Sequence, residues 1–331
     1  MPLNAATEAA RLSSAPMMDW TDRHCRSFHR CLSRHALLWS EMITADAVIH
    51  GECERLIGFS PAEHPLVLQL GGNEPVKMAE ASRIAEGMGY DEVNINCGCP
   101  SDRVQSGAFG ASLMRQAETV AACVEAMRSA VLIPVSVKCR IAIDEDPPRE
   151  TLFHFVDTVA AAGCGVFTVH ARKAWLKGLS PKENREVPPL DYALVGELKR
   201  ARPDLKIILN GGLQNLADCE QHLSDFDGVM VGRAAYQSPA ILGELDRRLF
   251  DPAAPIVSGF EAVARYRPYI EKELSNGTRL SSMTRHMLGL FNGRPGARMW
   301  RRILSEQAPR PGANMTVIDT ALAALPDALT A

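Results

Sequence analysis

Two cysteines one residue apart, Cys97 and Cys99, stand where a β-rich run gives way to a long Gly- and Ser-rich segment, NINCGCPSDRVQSGAFGAS at 94–112. A zinc site is a poor reading, because Cys-x-Cys is not the usual ligand spacing and no second Cys/His pair lies where tetrahedral coordination needs it. A thiol on a mobile lid reads better. There it can act as a general acid, protonating a carbanion that forms as reducing equivalents arrive on the opposite face. Cys97 continues the strand and suits a buried structural role, whereas Cys99 begins the loop and is the candidate acid. Lys138 and His170 end two further β-rich runs. A lysine there can be a Schiff-base nucleophile, a phosphate ligand or a cation beside an electron-rich ring such as a flavin. His170 can equally be a hydrogen-bonded histidine with no chemistry. Two Gly-rich turns, LNGGLQ and MVGRAA, offer Asn210, Gly211, Gly212, Gly232 and Arg233. Bare backbone N–H groups at such turns hold phosphate, and Arg233 adds charge.

The elements that must position these residues are eight short β-rich runs, at 12–17, 36–41, 65–70, 91–96, 133–138, 164–169, 205–210 and 227–232. Between them, apolar residues recur at helical spacing: Ala81, Ile84, Ala85 and Met88; Val120, Cys123, Val124 and Met127; Leu152, Phe155, Val156 and Val159. Eight βα units close most economically into a (β/α)8 TIM barrel, whose site lies at the C-terminal strand ends. An open doubly wound sheet is the alternative, but no GxGxxG follows the first run. The strand pattern stops after Tyr236, and 258–305 reads as Arg-rich helices broken by NGRPG at 292–296. The expected division is a barrel over 1–240 and a C-terminal helical domain over 241–331.

The 331 residues include no apolar run long enough to cross a bilayer, and the N-terminus does not read as a secretory signal. Nine irregularly spaced cysteines suit free thiols in a reducing cytoplasm. The net charge of −3 conceals an asymmetry. Residues 265–302 hold nine basic residues against two acidic ones, and 172–185 hold five against one. Two basic islands on an acidic body suggest a polyanion footprint; the bland reading is a solvated helix face with its arginines paired elsewhere.

At this point the sequence resembles the tRNA-dihydrouridine synthases, and specifically their A subfamily. The resemblance rests on APMMDWTDRHCR (15–26), LVLQLGG (66–72), NINCGCPS (94–101), VSVKCRI (135–141), TVHARKAWLKGLSPKENREVPPLDY (168–192), NGGL (210–213) and VGRAAYQSP (231–239). These motifs cover roughly residues 11 to 310 in family order, with no departure at a catalytic position. The resemblance implies FMN held by Pro16, Met17, Met18, Gln69, Lys138, His170, Asn210, Gly211, Gly212, Gly232 and Arg233. It also implies NADPH as reductant, hydride passing from flavin N5 to uracil C6, and Cys99 protonating C5. Asn96 is expected to touch the target nucleotide near position 20 of the D-loop. Lys182, Arg185, Arg298 and Arg301 are the expected tRNA contacts, and they fall on the two basic islands. No metal and no membrane partner is implied, and monomer is the default. The rivals are a small-molecule flavin barrel, which has no use for an Arg-rich tail, and a non-catalytic tRNA-binding protein, which has no use for Cys99.

Overall fold

The computed structural model describes residues 10–101, 104 and 107–326; Asp102, Arg103, Gln105 and Ser106 of the expected lid lie outside the described residues. Eight parallel strands follow one another around a ring: β1 (Leu12–Ser14), β2 (Leu38–Thr44), β3 (Leu66–Gly71), β4 (Glu92–Cys97), β5 (Val135–Arg140), β6 (Val166–His170), β7 (Lys206–Asn210) and β8 (Gly228–Val231). β8 pairs with β1, and a bridge between Ser13 and Leu37 closes the remaining gap beside β2. This is the (β/α)8 barrel. β1 stops short of its expected end because Pro16 has no N–H to continue the ladder.

The helices between strands are those the apolar stripes require. Val120, Cys123, Val124 and Met127 are buried on the helix Ala117–Ala130, and Leu152, Phe155, Val156 and Val159 on Pro148–Ala161. On Pro75–Met88 the buried stripe is instead Met78, Ala81, Ser82 and Ala85. Ile84 and Met88 are only half-buried, since small residues let this helix lie closer to the sheet.

The barrel interior has two characters. Leu37, Trp39, Val67, Ile208 and Met230 form an apolar cluster contributed by β2 and the residue before it, β3, β7 and β8. The β3–β5 side is polar: Gln69, Glu92, Asn94, Asn96 and Ser136 are all buried. One extra residue in β2, between Trp39 and Met42, interrupts its pairing with β3. There the Gln69 backbone N–H donates to Ser40 Oγ (3.0 Å). Such a bulge re-aims side chains where a ladder ends.

The chain separates into two compact units, one of residues 1–18 and 37–232, the other of 19–36 and 233–331. The division therefore differs from two contiguous blocks meeting at 240. The segment between β1 and β2 belongs to the helical unit for local reasons. Asp22 caps the helix Arg23–Leu32 and also meets Arg285 and His286, while Ser33 Oγ donates to Asp246 Oδ1 (2.5 Å). Apolar contact adds to these ties, with the Phe28 and Tyr266 rings 5.2 Å apart.

Candidate active site at the barrel mouth

Strand alternation sets the first group of residues. Glu92, Asn94 and Asn96 sit at i, i+2 and i+4 on β4, so all three face the same side. Asn94 lies in register with Gln69 and with Ser136. Gln69 Nε2 donates to Asn94 Oδ1 (2.9 Å), and Asn96 Nδ2 donates to Gln69 Oε1 (2.8 Å). Asn96 Oδ1 in turn accepts the backbone N–H groups of Gly98 (3.1 Å) and Cys99 (3.0 Å). Asn96 therefore fixes the turn that carries the candidate acid.

The two cysteines differ because β4 ends at Cys97, leaving Cys99 on the turn that follows. Cys97 is fully buried, and burial pushes its thiol well above the ordinary range. Cys99 is half-buried, its Sγ 3.4 Å from Ser101 Oγ. The loop returns to it: Ala111 N–H donates to Cys99 O (2.9 Å), and Gly110 sits at φ 72° between them. A Cβ on Gly110 would lie 2.6 Å from Cys99 O and 2.3 Å from Val104 Cγ1. No side chain fits at that crossing.

Lys138, His170 and Asn210 gather on β5, β6 and β7. Lys138 Nζ donates to Asn210 Oδ1 (2.9 Å), and Asn210 Nδ2 donates to Met230 O (2.8 Å). Burial, and next Arg140, lower the Lys138 ammonium to about 8. His170 is held well below its ordinary value by burial and by Arg140, Lys138, Arg172 and Arg185 around it. At neutral pH the lysine is thus the cation, and the histidine is a neutral hydrogen-bonding group. Gly211 and Gly212 follow at φ 110° and 74°, a region that L side chains avoid. A Cβ on Gly211 would stand 2.6 Å from His170 Cδ2, so this turn packs directly against the imidazole. Gly232 is uncrowded, its nearest neighbours being Ala15 Cβ (3.7 Å) and Met17 Sδ (3.9 Å). Pro16 and Met17 are half-buried and Met18 is exposed. Arg233 opens the helix Arg233–Gln237, where the chain re-enters the second unit.

Two residues outside the expected set brace the mouth. Arg140 Nε donates to Gly98 O (2.9 Å), while its NH1 donates to Lys173 O and Asn184 O (both 2.9 Å). It ties the Cys99 turn to the loop after β6. Asn184 is fully buried, accepts Trp175 N–H at Oδ1 (2.7 Å) and donates to Trp175 O and Leu179 O. The flanking Lys182 and Arg185 are exposed. Arg140 was visible in the sequence: two residues past Lys138, it shares that side of the strand. Nothing in the sequence marked Asn184 as the buried member of its charged surroundings.

In the second unit the helix Ala297–Gln307 buries Trp300, Ile303 and Leu304 and exposes Arg298, Arg301 and Arg302. Arg302 pairs with Glu306, and Arg301 donates to Asn292 Oδ1 (2.7 Å). Elsewhere Arg265, Arg267 and Arg285 pair with Glu261, Asp319 and Asp22. Among the described residues no cluster of metal-ligating side chains occurs, and no helix is long and apolar enough to cross a membrane.

The family model described as "Dihydrouridine synthase (Dus)" matches residues 13–325. The chain belongs to the dihydrouridine synthase family. It is 57% identical over 314 residues to a Yersinia pestis protein named tRNA-dihydrouridine(20/20a) synthase, covering 95% of this chain and 91% of that one. A Pasteurella multocida protein of the same name is 55% identical over 312 residues, covering 94% and 95%. The motif resemblance of the dihydrouridine synthase chain is thus matched along nearly its whole length. Among solved structures, the old yellow enzyme homologue from Zymomonas mobilis covers 74% of this chain and 89% of its own, with a TM-score of 0.53 at 12% identity. Morphinone reductase gives 0.51 at 14% identity, covering 71% and 84%. These likenesses show the shared barrel.

Proposed function

We propose that this chain reduces a uridine in the D-loop of tRNA, at position 20 or 20a, to 5,6-dihydrouridine, with FMN at the barrel mouth, NADPH as reductant and Cys99 as general acid. The observation that carries the reading is the Lys138 ammonium, which is half-buried at the end of β5 and hydrogen-bonded to one neutral acceptor, Asn210 Oδ1. No carboxylate forms an ion pair with it among the described residues. A partly desolvated cation without a counter-charge is costly, in line with the lowering of its pKa by burial. An anionic ligand relieves it. The donor set fits a flavin: a cation for the N1/O2 edge, a neutral His170 and the Gly211–Gly212 backbone for further acceptors, and Gln69 for the ring amide. Pro16, Met17, Met18, Asn210, Gly232 and Arg233 would complete the holder. The names of the relatives support tRNA as the substrate.

When bound, the flavin supplies the reducing equivalent delivered to uracil C6. The chain's own residues do the rest. Cys99 donates a proton to C5, and the Asn96 and Arg140 bonds hold the turn that presents the thiol. Asn96 lies beside the same turn, where it can meet the nucleotide. A uracil stacked in the tRNA elbow must be turned out, at a cost of about a few kcal/mol, which phosphate contacts offset. Lys182 and Arg185 on the barrel and Arg298 and Arg301 on the helical unit supply those contacts. The enzyme is read as a cytoplasmic monomer. The test is direct: purify the chain, look for a yellow flavin spectrum, and map dihydrouridine in tRNA from a deletion strain with and without the restored gene. A colourless protein, or unrestored position-20 uridines, would overturn the reading.

A further inference from the structure

The buried polar residues of the β3–β5 side form one continuous chain with one direction. Starting from the turn, Cys99 N–H donates to Asn96 Oδ1 (3.0 Å) and Asn96 Nδ2 to Gln69 Oε1 (2.8 Å). Gln69 Nε2 then donates to Asn94 Oδ1 (2.9 Å), and Asn94 Nδ2 to Ser136 Oγ (2.8 Å). The Ser136 hydroxyl ends the series by donating to Glu92 Oε1. Three links are carboxamides, which offer a donor at one end and an acceptor at the other. Turning any one of them over sets donor against donor in a place water does not reach, so the three must turn together or not at all.

The ends decide the direction. At the turn, two backbone N–H groups can only donate, so Asn96 must present its oxygen. At the other end, four residues back along β4 and about 13 Å away, Glu92 presents a carboxyl oxygen. Glu92 is 3% exposed, and burial raises its carboxyl to about 7 against the opposing hydrogen bond from Ser136. Protonated or not, an oxygen remains to accept that hydroxyl. A carboxyl group in a barrel interior is a poor choice for packing alone, and its place at the terminus of this series gives it a use.

We propose that Glu92 and Ser136 are positioning residues for uracil reduction, acting from the barrel floor through Asn94 and Gln69 to fix Asn96 and so the backbone that presents Cys99. The proposal rests on Cys99 being the acid. Neither residue touches a reacting atom; the series ends at Asn96 and the Cys99 turn, so the larger effect is expected in the proton-transfer half of the cycle, and only a small one, through Gln69, in flavin reduction. Hydrogen bonds in series reinforce one another, and the loss of one link is felt along the rest.

The test is a single turnover of reduced holoenzyme with excess unmodified tRNA, followed by flavin reoxidation. Ser136→Ala is expected to slow reoxidation about tenfold, while flavin reduction by NADPH changes by less than about twofold. Glu92→Leu should behave alike. The double variant should be no slower than the worse single, because both substitutions cut one series and their effects do not add. Glu92→Gln keeps an acceptor oxygen for Ser136 and should recover at least half of the wild-type rate. Reoxidation at wild-type speed in Ser136→Ala, equal slowing of both half-reactions, or additive losses in the double variant would each overturn the proposal. Cys99→Ala separates the two readings. If it turns over normally, the acid assignment fails and takes the proposal with it; if it stops while Ser136→Ala runs unimpaired, only the positioning role fails.

Discussion

The β3–β5 side of the barrel and the arginine face of the helical unit are both rich in polar side chains, yet they are organised oppositely. In the barrel, Gln69, Asn94, Asn96 and Ser136 are buried, and each meets a partner that dictates which way it points. In the helical unit's segment 265–302 the arginines are exposed or half-exposed, and their pairing differs. Arg265, Arg267, Arg285 and Arg302 are neutralised by carboxylates, whereas Arg298 and Arg301 pair with none among the described residues. The contrast teaches that burial makes a polar residue declare its role, because an unsatisfied buried group is costly. An exposed arginine declares nothing until its local partners are known.

The sharpest way to break the comparison lies on the buried side. Cys99→Ala should lower the single-turnover rate of uracil reduction by about 10²–10⁴-fold, the usual worth of a positioned general acid. Flavin content and tRNA affinity should stay at wild-type levels, and near-normal product formation would remove Cys99 from its role. On the exposed side, Arg298→Glu with Arg301→Glu should weaken tRNA binding by about tenfold or more and flatten its salt dependence by about one phosphate contact per residue. NADPH oxidation should be spared. A parallel double reversal at Arg265 and Arg267, already neutralised, should do much less; equal losses would erase the distinction between paired and unpaired arginines.

The smallest effect concerns stability and distinguishes a functional cation from a structural one. Because the Lys138 ammonium is lowered to about 8 in the folded protein, the unfolded chain binds its proton more tightly between there and the ordinary 10.5. Wild-type stability should therefore rise with pH across that window. In flavin-free protein at pH 7, Lys138→Met should stabilise by about 2 kcal/mol, measured by denaturant unfolding, while flavin binding falls. A loss of stability instead would mean that Lys138 serves the fold.

Much of this was legible beforehand, for reasons that differ from residue to residue. The eight strands announced themselves because buried parallel strands read as short apolar runs, and the helices of Val120 and Leu152 because their stripes are strictly periodic. Cys97 and Cys99 could be told apart because the first continues the β-rich run and the second begins the loop. The helix stripe on Pro75–Met88 was misplaced because Ala and Ser carry little apolar signal, so the larger Ile84 and Met88 drew the eye. The boundary between the units was not legible, since the ties of 19–36 to Asp246, Arg285 and His286 run through polar pairs more than 200 residues apart. Asn184 was hidden for the same reason: its worth lies in three backbone partners, which composition does not reveal.

The insertion of 19–36 into the helical unit bears on how the molecule is made. A fragment starting at 241 would lack the helix Arg23–Leu32 and the carboxylate of Asp22, so excising the tail by simple truncation should yield an incomplete module. During synthesis the ribosome must extrude about 200 further residues before that early helix meets its partners, a delay of roughly ten to forty seconds at ordinary elongation rates. Its apolar face, with Phe28 and Leu32, waits through that interval. A circular permutant that starts at residue 37 and carries 1–36 behind the tail would shorten the wait and should fold with less demand on chaperones.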